Sequence, residues 1–315
     1  MWALLLPFLL VTGPANALPS LEDYHQELMR QLRRTKKPRP PAEDPARFDY
    51  LLVGGIVSDY LHHVGYFREF TRELVSEGVP AKQIQTLFPP SHQSVEHNVA
   101  NALPAAWAKL IAKSDRPIVI IAHSKGAVEM VNFLLANPEL QDRVEAIHCI
   151  QGAFGGSELA DFLMKEYDQP GRPERLWPRT GMRIFRLLDR VLHGRIAGVE
   201  SLTTARARER VMGWYREHSE GLKKIVSKVI FTTTYQEPQK MDLRLRVGGN
   251  YLESVGALDN DGAVAEKNQF ITGLADRVVS ISGIDHSLPC GNLIARRHTD
   301  TAKALIRAVL RSIGK

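Results

Sequence analysis

The chain has 315 residues, of which 44% are hydrophobic and 24% charged, with a net charge of +6 and only two cysteines. That is enough chain to bury one sizeable core, and two cysteines exclude a fold resting on a disulfide framework. The basic residues are scattered among acids with no interleaved aromatics, so no nucleic-acid partner is expected and the charge favours anionic surfaces such as phospholipid.

The N-terminus reads as an export signal over residues 1–17. An apolar run from Trp2 to Val11 is followed by Gly13, Pro14 and the small-x-small string Ala15-Asn16-Ala17, which predicts cleavage after Ala17. The run is shorter than the roughly 20 residues a mature membrane-spanning helix needs. The mature protein is therefore expected to be soluble and secreted or periplasmic. Residues 18–47 carry a short helical pattern and then Lys36-Lys37-Pro38-Arg39-Pro40-Pro41, and this stretch reads as an exposed leader or linker. The folded body is expected over 48–315.

From Phe48 onward, apolar runs alternate with helical patterns, the signature of parallel strands joined by crossover helices. Strands are predicted at Tyr50–Val53, Ile84–Phe88, Ile118–Ala122, Val144–Ile150, Val229–Tyr235 and Arg277–Ser282. Helices are predicted at Tyr66–Glu77, Val95–Ile111, Ala127–Ala136 and Thr301–Ser312. Between Ile150 and Lys228 lies an excursion of more than seventy residues, too long for an ordinary crossover. A cap insertion is expected there, at about 155–227. Within it, Met182 to Leu192 places apolar residues at helical spacing beside arginines. That pattern suits a lid opening onto lipid, or a helix packed on the body with a solvated basic face.

The chemistry starts at Ile118-Val-Ile-Ile-Ala122-His123-Ser124-Lys125-Gly126-Ala127. A small-x-Ser-x-Gly string means little alone, but here it follows a strand and opens a helix, the setting a nucleophile elbow requires. Ala122 and Gly126 are small because the sharp turn brings strand and helix backbones together. A serine hydroxyl needs a base, and His286, just past the last predicted strand, is the best placed of eleven histidines. His123 adjoins the nucleophile but suits a packing or surface role; His62, His63, His92 and His97 suit solvated loops, with the site entrance as the alternative. The acid that orients the base should lie between them in the chain. Asp259-Asn260-Asp261-Gly262 supplies it, with Asp261 preferred because Gly262 permits a sharp turn and Asp259 as the alternative. Oxyanion donors are expected from the backbone N–H of Lys125 and, after the first core strand, from Ile56 in Gly54-Gly55-Ile56, with Gly55 as the alternative. No His, Cys, Asp and Glu cluster has metal-ligand spacing, so neither a metal nor another cofactor is expected. Export permits a Cys149–Cys290 bridge, yet Cys149 falls in a predicted buried strand where a small apolar thiol suffices.

With these positions in place the chain resembles bacterial true lipases and related triacylglycerol-lipase-like hydrolases. The likeness rests on Val53-Gly54-Gly55-Ile56 with Tyr66-Phe67, on Ala122 to Gly126, and on Phe154-Gly155-Gly156-Ser157-Glu158-Leu159-Ala160-Asp161. It continues through Ser201-Leu202-Thr203-Thr204 and Asn260 to Val264, ending at Asp285-His286. The resemblance implies an α/β-hydrolase fold with a mostly parallel central sheet, a helical lid and hydrolysis of lipid-like carboxylic esters. It carries the triad onto Ser124, Asp261 and His286. Two departures stand out. Gly54-Gly55 replaces the usual His-Gly of the oxyanion loop. Ser287-Leu288-Pro289-Cys290 follows the histidine where relatives place an acidic calcium ligand, so calcium is not expected. The same triad would serve acyl transfer to an alcohol or amine, and a silent member of the fold would bind lipid or a partner through the insertion.

Overall fold

A computed structural model describes residues 20–33, 40–167, 196–290 and 296–313. Six strands, β1 (Asp49–Val53), β2 (Ile84–Leu87), β3 (Ile118–His123), β4 (Val144–Ile150), β5 (Val229–Tyr235) and β6 (Val278–Ser282), form one sheet in the order β2-β1-β3-β4-β5-β6. Every described pairing is parallel. A parallel sheet carries its crossovers on its faces, and both faces must then be apolar. That accounts for β1 and β3 being buried at every position.

Side chains alternate between the two faces because the strand repeat is two residues. Leu51, Val53, Ile118, Ile120, Cys149 and Phe231 enter one core layer, with the helices Val95–Ala100, Ala102–Ile111 and Lys125–Ala136 above them. Tyr50, Leu52, Val119, Ile121, Ala146 and Ile230 enter the other, under Leu21–Leu32, Arg68–Ser76 and Arg296–Ser312.

Two organisational expectations change. The helix Leu21–Leu32 is not part of an exposed leader. Tyr24 and Leu28 are fully buried in the second layer, the Tyr24 hydroxyl bonds Thr232 on β5 at 2.6 Å, and the helix lies along Arg296–Ser312. Its amphipathic pattern had an apolar stripe to bury, and the sheet face supplies the partner. In the long excursion, Trp214, Leu222 and Ile225, on the helices Thr204–Glu217 and Ser219–Val226, are buried in the first layer. Those residues pack as body, so the cap boundaries expected at 155–227 do not hold for them. The amphipathic stretch Met182–Leu192 and the export signal over 1–17 lie outside the described residues.

The predicted helix Val95–Ile111 is two helices meeting at Asn101, whose backbone leaves helical geometry at φ −124°. Cys149 and Cys290 are both free and buried. No described helix is long and apolar enough to cross a membrane.

Candidate active site

The strand order determines where a site can form. The chain runs from β1 outward to β2, then returns to place β3 on the other side of β1. The loops leaving β1 and β3 therefore diverge at their C-terminal ends and open a crevice, the position at which doubly wound sheets bind ligands. Ser124 ends β3 and the Gly54-Gly55-Ile56 loop ends β1, so both stand at this crevice.

Ser124 has φ 55° and ψ −128°, left-handed backbone that a side chain rarely adopts. This is a sharp strand-to-helix turn, the setting that a nucleophile elbow requires. Its tightness shows in the neighbours: a Cβ on Gly126 would collide with the Gly54 carbonyl, and one on Gly55 would lie 2.6 Å from the Ser124 Cβ. Glycine at both positions lets the β1 loop press directly on Ser124.

His286 and Asp261 come to Ser124 from loops after β6 and β5. His286 Nε2 lies 2.9 Å from Ser124 Oγ, and His286 Nδ1 lies 2.7 Å from Asp261 Oδ2. A carboxylate only accepts, so Nδ1 carries the hydrogen and Nε2 is left as the acceptor for the serine proton. Asp261 is fully buried and its Oδ1 also accepts the N–H groups of Ala263 and Val264, while Gln269 Nε2 donates to Oδ2 at 3.1 Å. Gly262, at φ 94°, makes the turn that brings those two N–H groups back onto the carboxylate. The alternative acid, Asp259, is exposed. The backbone of His286 is pinned as well, its N–H donating to the Asp261 carbonyl at 2.8 Å.

The β1 loop can be read donor by donor. Gly54 N–H goes to the Leu87 carbonyl, Gly55 N–H to the Tyr66 hydroxyl and Val57 N–H to the Ser91 hydroxyl. Among the described residues no acceptor takes the N–H of Ile56 or that of Lys125. Gly55, the alternative donor, is thereby occupied. The Lys125 side chain turns away from the crevice into the core, where its ammonium meets Glu129 at 2.6 Å.

His123 is buried, with its ring nitrogens on Tyr66 and Gln151. His62, His63 and His97 are exposed. Among the described residues no group of three His, Cys, Asp or Glu could hold a metal ion. Sequence reasoning assigned nothing to Gln269, a lone glutamine in no motif, although it touches the Asp261 carboxylate. Only its place eight residues after Asp261 could have drawn attention to it.

Two solved structures share this arrangement of elements. A metagenomic carboxyl esterase superposes with a TM-score of 0.61 at 20% identity, over 87% of this chain and 79% of its own. The mature form of a Bacillus licheniformis lipase superposes with a TM-score of 0.53 at 20% identity, over 79% of this chain and 89% of its own. This is the α/β-hydrolase fold. At such identity the likeness carries the fold and no more, because one fold hosts many chemistries. No protein-family model and no curated protein sequence matches the chain. Within the α/β-hydrolase fold, Ser124, Asp261 and His286 follow strands β3, β5 and β6, the chain order in which this fold supplies nucleophile, acid and base.

Proposed function

We propose that the chain is a carboxylic ester hydrolase working through an acyl-enzyme, with Ser124 as nucleophile, His286 as base and Asp261 as the group that orients the base. The observation that carries this reading is the unbroken series of contacts from Asp261 through His286 to Ser124, beside two backbone N–H groups with no acceptor among the described residues. His286 Nε2 takes the hydroxyl proton as Ser124 Oγ attacks the ester carbonyl. The N–H groups of Ile56 and Lys125 receive the negative charge that develops on the carbonyl oxygen. His286 then returns the proton to the leaving alcohol, and water repeats the sequence to release the acid. Asp261 holds the imidazole in the required tautomer throughout.

The finer reading is an exported lipase-like enzyme for lipid-like acyl esters, meeting its substrate at a lipid or membrane surface. It is supported by the N-terminal signal pattern and by the motif series shared with true lipases. Ser124→Ala should lower turnover of nitrophenyl butyrate by about four or more orders of magnitude and abolish fluorophosphonate labelling. Near-normal turnover in that variant would refute the assignment. A nitrophenyl ester series of rising chain length tests the lipid-like preference, which fails if only the shortest acyl groups react.

A further inference from the structure

A chain of hydrogen bonds runs behind the triad from one catalytic loop to the other. Gly55 N–H donates to the Tyr66 hydroxyl at 3.2 Å, and Tyr66 lies 2.6 Å from His123 Nδ1. His123 Nε2 lies 2.9 Å from Gln151 Oε1, and Gln151 Nε2 reaches the Thr234 hydroxyl and, at 3.0 Å, the Asp285 carbonyl. One end is the loop carrying the Ile56 N–H; the other is the residue before His286.

Both ends determine the direction of every bond between them. The Asp285 carbonyl can only accept, so the amide nitrogen of Gln151 must face it and its oxygen must face His123. His123 Nε2 is therefore a donor. At the other end the Gly55 N–H can only donate, so the Tyr66 oxygen accepts there and its single proton is free for His123 Nδ1. Both ends of the chain of bonds therefore require one species, a neutral His123 protonated at Nε2.

A second observation points to the same residues. Four described non-glycine residues have left-handed φ: Val57, Phe67, Ser124 and Gln151. Ser124 is the elbow and Gln151 belongs to the chain of bonds, while Val57 and Phe67 directly follow Ile56 and Tyr66. Such backbone is costly for a residue with a side chain and persists where surrounding contacts over-determine it. The strain thus surrounds the donor loop, the nucleophile and the bonds that join them.

We propose that Tyr66, His123 and Gln151 are positioning residues that hold the oxyanion loop and the base loop in one register, with His123 acting as the neutral Nε2–H tautomer. The proposal rests on the acyl-enzyme reading above. Neutrality matters for a further reason: the His123 ring lies 4.8 Å from the His286 ring, which becomes cationic when it takes the serine proton. Burial, with the charge of His286 second, holds His123 down to about 3. His123 therefore stays uncharged beside the working base.

The test combines kinetics with a spectrum that needs no turnover. Tyr66→Phe and Gln151→Met should each lower kcat on nitrophenyl butyrate by about tenfold to a hundredfold with KM changed less than about twofold, since they misplace donors without touching substrate. The double variant should fall little below the worse single one, because either change breaks the same connection. Unchanged kcat, a loss confined to KM, or losses that multiply would overturn the proposal. In Ser124→Ala, imidazole ¹⁵N shifts of His123 should show an Nε2–H tautomer that does not titrate between about pH 5 and pH 8. A titrating or Nδ1–H ring would also overturn it. Wild-type protein that neither hydrolyses esters nor takes a fluorophosphonate would refute the acyl-enzyme reading instead, and the spectrum would then decide the network by itself.

Discussion

Lys125 and Asp261 illustrate how much of this site is decided by which atom of a residue faces which way. The backbone N–H of Lys125 stands at the crevice while its ammonium is buried against Glu129, whose carboxylate also accepts from Asn98 at 2.7 Å. Burial pushes the Glu129 carboxyl up and the Lys125 ammonium draws it back. A buried pair gains little over an apolar one, but removing one partner strands a charge. Glu129→Ala should therefore cost about 3–5 kcal/mol in urea unfolding, whereas replacing both residues with apolar ones should cost much less. Asp261→Asn poses the opposite problem, since geometry survives and the tautomer does not. It should lower kcat by about four orders of magnitude with unfolding little changed. The turn that places Asp261 was legible because Gly262 marks a conformation that few residues permit. Gln269 and Gln151 were not, because a glutamine's role depends on what lies around it and no local pattern records that.

Among the elements, the Leu21–Leu32 helix departs furthest from expectation. Its Ser20 cap, where the hydroxyl accepts the Asp23 N–H, marks a deliberate start. The Lys- and Pro-rich string after it obscured that start, because such composition dominates a reading of the whole stretch. Cleavage after Ala17 would leave this helix whole. Leu28→Ala should destabilise the protein by about 2–5 kcal/mol, the range for a large side chain removed from a packed core. A truly exposed leader would show no change in the urea midpoint. The strands were legible to within a residue or two because most are apolar runs between turn residues. The break at Asn101 was not, since both halves of Val95–Ile111 share one helical pattern.

For the whole molecule, the two histidines buried among the described residues, His123 and His148, link folding to acidity. His148 on β4 lies against Tyr24 at 5.2 Å between ring centres, and among the described residues neither of its nitrogens has a hydrogen-bond partner. Burial holds it, like His123, at about 3, against 6.5 for a free imidazole. Below 6.5 the unfolded chain takes up protons that the folded one refuses until about 3, so folding stability is full above that window and is lost as pH falls through it. Each imidazole contributes a slope of about 1.4 kcal/mol per pH unit inside the window. His148→Leu removes one of the two without removing a hydrogen bond. Its urea midpoint should exceed that of wild type at about pH 5 and differ little at about pH 8. Equal acid sensitivity in the two proteins would show that His148 is not the linked group.

The amino-acid sequence alone determined the alternation of strands and helices, the elbow at Ser124 and the chain order of serine, aspartate and histidine. Each of these is written in short-range patterns of apolarity, small residues and turn formers. It could not say which backbone N–H after β1 would be left without an acceptor, whether the first helix would be buried, or which tautomer His123 would hold. Those depend on residues far apart in the chain, Val57 with Ser91, Tyr24 with Thr232 and Gln151 with Asp285, meeting in the folded molecule. Hydrogen-bond partners at such separations exist only once the fold has closed around them.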